Sequence, residues 1–221
     1  MILSLVLLIG ALASCNKNAT PENPPRVPPK YEDIDLSSIS SMDNVTLTDE
    51  VTDYVVIDVK YFGSIVIRLF PDVAPETVAN FKNLVSQKFY DGIIFHRVIS
   101  GFVVQGGDPY GTGLGGSAQN ITGEFTSNNF ENNLHHVRGV VSMARRSNDP
   151  NSASSQFFIV HKSSQKNLES LDGNYAAFGY VVYGMDAVDA IAECRTDSND
   201  KPVVNVVINS IRFANVTASS N

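Results

Sequence analysis

The stretch IIFHRVISGFVVQGGD, Ile93–Asp108, decides the fold of this chain. β-Branched and aromatic residues dominate it and the pair Ser100-Gly101 interrupts them, a pattern that predicts two short strands joined by a tight turn. Arg97 stands among apolar residues in the first strand, and Gln105 lies near the end of the second. A guanidinium that faces an apolar pocket donates hydrogen bonds but does not lose a proton near neutral pH. The stretch therefore indicates electrostatic rather than acid–base chemistry.

Strand-like runs continue on both sides of this stretch. Tyr54–Lys60 and Ser64–Phe70 are rich in β-branched residues and are separated by a short turn. Pro75 begins a helix, at a position where its missing N–H costs nothing, and Met185–Glu193 has the apolar spacing of a second helix. The remaining strand candidates are Ile93–Ile99, Phe102–Gln105, Gly139–Ala144, Gln156–Val160, Ala176–Val182 and Val203–Phe213. Many short strands with two helices are typical of a β-barrel that closes on itself.

Two downstream motifs, Ser155–Ile159 (SQFFI) and Leu171–Gly173 (LDG), add to the pattern. Together with Ile93–Asp108 they resemble the signature of the cyclophilin family of peptidyl-prolyl cis/trans isomerases, and the resemblance covers roughly residues Thr52 to Ala214. It implies an all-β-dominated fold, a closed eight-stranded antiparallel β-barrel capped by two α-helices. It also implies an enzyme that accelerates rotation about X–Pro bonds and requires no metal and no cofactor.

The resemblance assigns a role to individual residues. It places Arg97 on the catalytic arginine of the family and Gln105 on a glutamine that holds the substrate backbone. The other substrate-binding residues that it implies are Phe102, Val103, Gly113, Ala144, Arg145, Arg146, Gln156, Phe158, Leu171 and Tyr175. Three positions depart from the usual pattern. Val103 stands where methionine is most common, Ser170 where eukaryotic members often have tryptophan, and Tyr175 where a histidine is usual.

Structural alternatives exist for several of these residues. A lone arginine on a strand is by default an exposed surface residue, and Phe102, Phe158 and Leu171 could each be part of the hydrophobic core. An alternative function also remains: a non-catalytic chaperone module that binds proline-containing segments without turnover. Arg97 together with Gln105 and Phe158 favours the enzyme.

The histidines and the glycine-rich run carry weaker signals. His96 adjoins Arg97 on a predicted strand and is expected to point to the opposite face. His135-His136 and His161 lack carboxylate or thiolate neighbours at ligand spacing, so no metal site is predicted. Gly111–Gly116 matches G-x-G-x-x-G, but no helical pattern follows it. A tight loop beside the pocket is the better interpretation.

The first fifteen residues differ from the rest of the chain. Met1–Ala13 carries no charge, and this run is too short to span a bilayer, which takes about 20 residues. Its length suits the apolar part of a signal peptide. Leu12–Cys15 resembles the bacterial lipobox, in which the cysteine is lipidated, so residues 1–14 are predicted to be a lipoprotein signal peptide and Cys15 the lipidation site. No basic residue precedes the run, so the leader is either atypical or preceded by further residues. Ordinary secretion and a misread cytoplasmic start are the alternatives.

The rest of the chain divides by composition. Residues 15–50 are rich in proline and acidic residues and predict a flexible tether. Residues 51–215 form the predicted isomerase domain, which should act without the tether, and residues 216–221 a disordered tail. Cys194 lies in an apolar run and is expected to be a buried structural thiol. These assignments predict an extracytoplasmic protein that is lipid-anchored to a bacterial membrane, or alternatively secreted.

Charge limits the possible partners. The chain of 221 residues has a formal net charge of −7 and a pI near 5.0. An acidic chain lacks the basic face that phosphate contacts need, which argues against nucleic acid. The expected partners are therefore proline-containing segments of client proteins and, through the anchor, a membrane. A monomer is expected.

Overall fold

Antiparallel strands dominate the computed structural model, which describes residues 27–217. The predicted signal peptide, Cys15 and residues 218–221 of the predicted tail lie outside the described residues. The strands are β1 (Val45–Thr48), β2 (Tyr54–Val59), β3 (Gly63–Leu69), β4 (Ile94–Phe95), β5 (Arg97–Val98), β6 (Val103–Gly106), β7 (Val140–Met143), β8 (Phe157–Val160), β9 (Ala177–Tyr183) and β10 (Val206–Val216). The helices are α1 (Pro75–Ser86), α2 (Gln165–Leu171) and α3 (Met185–Ala192).

The strands form one antiparallel arrangement. Hydrogen-bonded neighbours follow the order β1-β10-β2-β3-β9-β7-β8-β6-β5, and β4 pairs with β10 outside this path. The strand-dominated antiparallel fold with few helices is as predicted. The predicted closure into an eight-stranded barrel is not confirmed, because the continuous path of paired strands ends at β5 and does not return to β10.

The break falls within the strand predicted for Ile93–Ile99. Its first part, β4, pairs with β10, whereas its second part, β5, pairs with β6. His96 lies between the two and belongs to neither ladder. One predicted strand is thus two short ones with different neighbours.

The main core lies between the sheet and two of the helices. Ile65, Ile67 and Leu69 of β3 are at most 1% exposed, which confirms that they share an inward face. The predicted apolar stripe of α1 is also buried, and Phe81 packs edge-on against Phe157 of β8 with ring centroids 5.6 Å apart. The buried face of α3 belongs to the same cluster. Apolar burial of this kind is the main stabilising contribution to the fold.

Helix α2 was not predicted from the sequence. It is seven residues long and its residues are mostly polar, so it offers too little apolar periodicity to be recognised. Its beginning follows Ser164, whose side chain accepts a hydrogen bond from the backbone N–H of Asn167. Its end places Leu171 in an apolar cluster with Val103 and Phe158.

Residues 27–50 are packed against the domain, which differs from the flexible tether expected over 15–50. Tyr31, Ile34 and Leu36 pack against a second apolar cluster, the outer apolar cluster, and β1 pairs with β10. The buried members of the outer apolar cluster are Phe70, Val73, Val103, Leu134, Val140, Phe158, Val160, Leu171 and Ala177. The backbone N–H of Ile39 donates to the carbonyl of Val182 at 2.8 Å. These apolar residues are too widely spaced to show the periodicity of a helix or a strand, but each of them packs against or bonds to the rest of the domain. The predicted boundary at residue 51 therefore cuts through packed structure.

Two further features concern the membrane and the free thiol. Across residues 27–217, no helix combines the length and apolar character that crossing a bilayer requires. Cys194, expected to be buried, is half-buried beside the main core. Its partial burial raises the pKa of the thiol, which keeps it protonated and unreactive at neutral pH.

Candidate active site

A row of side chains runs across four neighbouring strands. In the ladders, Arg97 of β5 stands opposite Gln105 of β6, Gln105 opposite Phe158 of β8, and Phe158 opposite Ser142 of β7. Side chains at paired positions of adjacent strands lie on the same face of a sheet. The fold thus brings together residues that are up to 61 positions apart in the sequence, from Arg97 to Phe158.

This row borders a cavity of about 520 Å³. Ten of the predicted site residues line it: Arg97, Phe102, Val103, Gln105, Gly113, Ala144, Arg145, Phe158, Leu171 and Tyr175. A second cavity of about 300 Å³ adjoins it and shares four of these residues, Gln105, Gly113, Ala144 and Arg145. The second cavity is also lined by the two remaining predicted residues, Arg146 and Gln156. All twelve residues are therefore brought to one region of the surface.

The guanidinium of Arg97 stands at the polar side of the first cavity. Its Nη1 donates to Oε1 of Gln105 at 3.4 Å, and its Nε lies 3.7 Å from a carboxylate oxygen of Asp200. The Arg97 side chain is 40% exposed, so a peptide in the cavity can reach it. It is a fixed positive charge with hydrogen-bond donors facing the cavity.

A chain of amides supports Gln105 from behind. Its Nε2 donates to Oε1 of Gln156 at 2.9 Å, and Nε2 of Gln156 donates to the carbonyls of Gly113 and Gly115 at 3.0 and 2.7 Å. These bonds fix which end of each amide group is the donor. The oxygen of Gln105 therefore faces Arg97, and the glycine-rich loop is tied to the same network.

Alternation along β8 separates the core from the cavity wall. Phe157 is fully buried in the main core, whereas Phe158 belongs to the outer apolar cluster and lines the cavity. The ring of Phe158 meets Tyr175 edge-on at 5.7 Å and stacks on His136 at 6.1 Å. Val103 and Leu171 complete this wall and are 2% and 4% exposed. Such a concave apolar wall suits a small apolar ring.

Beneath Phe158 lies a buried polar group. Nδ1 of His136 is 2.8 Å from Oδ1 of Asp172, and Nε2 of His136 is 3.0 Å from Oγ of Ser142. Burial by itself raises the pKa of Asp172, but hydrogen bonds from the side chain and backbone of His136 and from His135 more than offset this and lower the pKa to about 2. Ser142 has no solvent exposure, so this group braces the wall and does not present a nucleophile.

A buried carboxylate, that of Asp108, also holds the glycine-rich loop. Asp108 accepts hydrogen bonds from the backbone N–H groups of Tyr110, Thr112 and Gly113 at 2.7 to 2.8 Å. Burial raises its pKa, but hydrogen bonds from the backbone of Tyr110, Thr112 and Gly115 and from the side chain of Thr112 outweigh that effect and lower the pKa to about 2. Gly113 has a φ of +82°, in the region that glycine adopts without strain. The loop between the cavities is therefore an internally bonded turn, as predicted.

The two arginines beside the cavities differ. The guanidinium of Arg145 lies between the rings of Phe125 and Tyr175, 5.1 and 4.8 Å from their centroids, and its Nε donates to the carbonyl of Asn174. Arg146 is 68% exposed and lies 3.5 Å from a carboxylate oxygen of Asp149. Arg145 is thus fixed by cation–π contacts, while Arg146 remains accessible.

Sequence reasoning missed several residues at the first cavity. They are His96, Gly111, Thr112, Asp197, Asn199 and Lys201. The expectation that His96 faces away from Arg97 is wrong, because His96 interrupts the strand and strict alternation does not apply across the break. Its ring is buried, which lowers its pKa. The residues from Asp197 to Lys201 lie in a loop far from the motif, and no local pattern indicates their position.

The residues that the structure describes contain no cluster of side chains that could bind a metal ion. Across residues 27–217, no group of three or more His, Cys, Asp or Glu side chains is arranged to hold a metal ion. His135 and His136 both contact Asp172, and His161 lies 3.2 Å from Asp189. Each carboxylate is therefore engaged in structural hydrogen bonds.

The sequence profile of the family described as cyclophilin type peptidyl-prolyl cis-trans isomerase matches residues 54–213. That span covers β2 to β9 and β10 as far as Phe213, and it includes every residue that lines the two cavities. The chain belongs to this family. Its members are peptidyl-prolyl cis-trans isomerases, and this chain is an enzyme of that type.

Named relatives of this cyclophilin-type chain come from distant organisms. It is 44% identical over 142 residues to peptidyl-prolyl cis-trans isomerase ppi1 of Schizosaccharomyces pombe, which covers 64% of this chain and 86% of the relative. It is 37% identical over 173 residues to a putative peptidyl-prolyl cis-trans isomerase of Staphylococcus epidermidis, covering 67% and 86%. A putative bifunctional phosphatase/peptidyl-prolyl cis-trans isomerase of Streptococcus pyogenes is 41% identical over 174 residues, and the match spans only 36% of that relative.

Solved structures show the same fold. A crystal structure of a cyclophilin type peptidyl-prolyl cis-trans isomerase from Cryptosporidium parvum, determined in the presence of the dipeptide Ala-Pro, aligns with a TM-score of 0.64 at 32% identity. The alignment covers 75% of this chain and 99% of the parasite protein. The cyclophilin fold of the domain follows from this agreement.

Proposed function

We propose that this cyclophilin-type domain accelerates X–Pro isomerisation through transition-state hydrogen bonding from Arg97. Rotation about the peptide bond faces a barrier of ~18–20 kcal/mol, because C–N resonance must be broken. In the twisted transition state the proline nitrogen becomes pyramidal and its lone pair can accept a hydrogen bond. A guanidinium aimed at that nitrogen stabilises the twisted form and hardly contacts the planar ground state. Such a difference is what lowers a barrier.

The layout of the first cavity supports this proposal. The apolar wall of Val103, Phe158 and Leu171 can hold the proline ring, and Gln105 can bond the peptide backbone beside Arg97. The guanidinium stands at the edge of the wall, where the nitrogen of a bound proline would lie. Each ~1.36 kcal/mol of preference for the twisted form corresponds to a tenfold rate increase. No step in this scheme requires a nucleophile, a metal or a cofactor.

The competing possibility is a module that binds proline-containing segments without turnover. Both functions use the same apolar wall, but only isomerisation needs a donor directed at the proline nitrogen. Exchange NMR on a short X–Pro peptide separates them, since it reports binding and the cis–trans exchange rate in one sample. We expect catalytic amounts of the chain from residue 27 to raise the exchange rate. Peptide binding with an unchanged exchange rate would favour the binding module.

We also propose that the domain acts outside the cytoplasm on proline-containing segments of exported proteins, as a monomer anchored through Cys15. The lipobox-like Leu12–Cys15 supports an anchor, and a diacylglyceryl group supplies the two chains that stable attachment takes. Cys15→Ser is expected to move the protein from the detergent phase to the aqueous phase. Aqueous partitioning of both forms would favour ordinary secretion. Detergent partitioning of both would mean that another segment holds the membrane.

We further infer that strands β2 to β10 form a closed barrel of eight strands, in which β4 and β5 together count as the one strand that closes it. The two lie on either side of His96 and pair with β10 and β6 respectively. Hydrogen exchange tests this, because closure predicts slow exchange of the amide protons of both β4 and β5. Fast exchange confined to these two strands would indicate an open edge.

A further inference from the structure

The guanidinium of Arg97 has few contacts that fix its orientation. Within residues 27–217, its Nη1 has one long hydrogen bond, 3.4 Å to Gln105, and its Nε has one ion-pair neighbour, Asp200 at 3.7 Å. An arginine side chain has many accessible rotamers, and ordering it has an entropic cost. A donor that must point at one atom in the transition state therefore depends on both contacts.

Asp200 lies in a tight hairpin that organises itself around Asp197. The carboxylate oxygen Oδ1 of Asp197 accepts hydrogen bonds from the backbone N–H groups of Asn199 and Lys201 at 2.8 and 3.0 Å. The backbone N–H of Asp197 donates to the carbonyl of Lys201 at 2.8 Å, and Thr196 pairs with Pro202. These four contacts fix a loop that carries no helix or strand of its own.

This hairpin is docked on both sides of Arg97. The backbone N–H of Val98, the residue next to Arg97, donates to the carbonyl of Asp200 at 2.7 Å. Nζ of Lys201 donates to the carbonyl of Gly111 at 3.1 Å, on the glycine-rich loop. Asp200 has a φ of +62°, a backbone conformation in which Asp and Asn are enriched among non-glycine residues. The loop therefore holds the Asp200 carboxylate at a set place beside the guanidinium.

We propose that Asp200 is a positioning residue for Arg97: its carboxylate holds the Nε side of the guanidinium while Gln105 holds Nη1, leaving Nη2 directed to the substrate. This inference rests on the proposed role of Arg97. The two side chains are 40% and 46% exposed, so the pair contributes little to the stability of the fold. Its effect is on orientation, since the carboxylate is the one acidic group within ion-pair distance of Arg97 in residues 27–217.

The neighbouring charges do not replace this contact. Lys201 is engaged with the glycine-rich loop, and the Oδ1 atom of Asp197 is occupied by two backbone donors of its own hairpin. Removing the Asp200 carboxylate would therefore leave Nε without a charged neighbour, while the hairpin and its bond to Val98 would stay in place. Rate should fall without a matching change in substrate affinity.

A double-mutant cycle between Asp200 and Arg97 tests the proposal. Asp200→Asn keeps the side-chain size and tolerates the left-handed backbone. We expect it to lower kcat roughly fivefold and to leave KM within about twofold, because the lost interaction acts in the transition state. In an Arg97→Ala background the same substitution should change kcat/KM by less than about 1.5-fold, since its effect passes through Arg97.

Asp91→Asn is the matched control. Asp91 accepts two hydrogen bonds from Arg212, at 2.8 and 2.7 Å, and neither residue lines a cavity. The control removes one carboxylate from an arginine pair and should leave kcat and KM unchanged in both backgrounds. A general effect of lost negative charge would appear in the control as well as in Asp200→Asn, and that result would overturn the proposal.

A second readout needs no turnover. The side-chain Nε–H resonance of Arg97 should shift and broaden in Asp200→Asn and stay in place in Asp91→Asn. An unmoved resonance, a wild-type kcat for Asp200→Asn, or an equal loss in both Arg97 backgrounds overturns the positioning role. If the wild-type chain does not accelerate isomerisation, the proposed function fails instead, and the resonance still decides whether Asp200 orients Arg97.

Discussion

Arg97 stands directly opposite Gln105 in the ladder between β5 and β6, and the two side chains share a 3.4 Å hydrogen bond. The same register places Phe158 beside Gln105 on the next strand. A polar donor, an amide and an apolar ring thus follow one another across a single sheet face. This order underlies the proposal that one surface holds the proline ring and directs a donor at its nitrogen.

The register of β8 predicts different consequences for two adjacent phenylalanines. Phe157→Ala should lower the free energy of unfolding by about 3–5 kcal/mol, because it empties part of the main core. Phe158→Leu should change stability less and raise KM, because Phe158 lines the cavity. Chemical denaturation and peptide kinetics on both variants check this. A raised KM for Phe157→Ala with full stability would contradict the assigned register.

The packed segment 27–50 predicts a stability effect of truncation. A chain that starts at Val51 loses β1 and uncovers the cluster of Val56, Val66 and Val182. It should be less stable than a chain from residue 27 by a few kcal/mol, since a fully buried aliphatic side chain contributes roughly 1.5–3 kcal/mol. Thermal melts of the two chains measure this.

Catalysis by the folded fraction should be affected much less by this truncation. No residue of the two cavities precedes His96, so kcat/KM at low temperature should agree within about twofold between the two chains. Equal melting temperatures would mean that residues 27–50 add nothing to the domain.

Much of this architecture follows from local patterns, and the exceptions have physical causes. Apolar residues recur at every second position in β3 and at the 3.6-residue spacing of a helix in α1, and the apolar residues of both elements are buried as predicted. Strand β1 has only four residues, and helix α2 has seven that are mostly polar, so tertiary contacts rather than local pattern determine them. The break at His96 depends on two different strand partners, which no window of sequence contains.

The site shows the same division. The resemblance assigns residues of the motif Ile93–Asp108 and of SQFFI to the pocket, and these residues line the two cavities. Asp197, Asn199 and Lys201 line the first cavity and Asp200 contacts Arg97, all from a loop about a hundred residues downstream of Arg97. Their surroundings in the sequence are those of an ordinary polar turn. Only the fold reveals that the loop docks beside the guanidinium.

Buried titratable groups predict how stability depends on pH. Burial lowers the pKa of His96 and of His136, so the folded state favours the neutral ring and stability falls as the pH drops below about 6.5. The carboxyl of Asp108 has a folded pKa of about 2, below the usual value of 3.8. Its contribution is present above the usual value and is lost as the pH falls towards 2, an effect of roughly 2 kcal/mol.

Urea denaturation between pH 8 and pH 2 measures this profile. Asp108→Asn should be less stable than wild type at pH 7 and should lose less stability between pH 4 and pH 2. Each unit by which folding lowers the pKa of Asp108 corresponds to roughly 1.4 kcal/mol in the free energy of unfolding. Parallel curves for the two proteins over the acid range would mean that Asp108 is not the group responsible.

The central claim is that the Arg97 guanidinium stabilises the twisted amide. Comparing wild type, Arg97→Lys and Arg97→Ala in one isomerisation assay tests it most directly, with circular dichroism to show that all three are folded. Arg97→Ala should lower kcat/KM by about 10²–10³, with peptide affinity changed only a few-fold, because the lost bond forms in the transition state. Arg97→Lys should recover a small part, since a lysine lacks the planar fork of donors. A folded Arg97→Ala variant that isomerises the peptide at the wild-type rate would contradict the account.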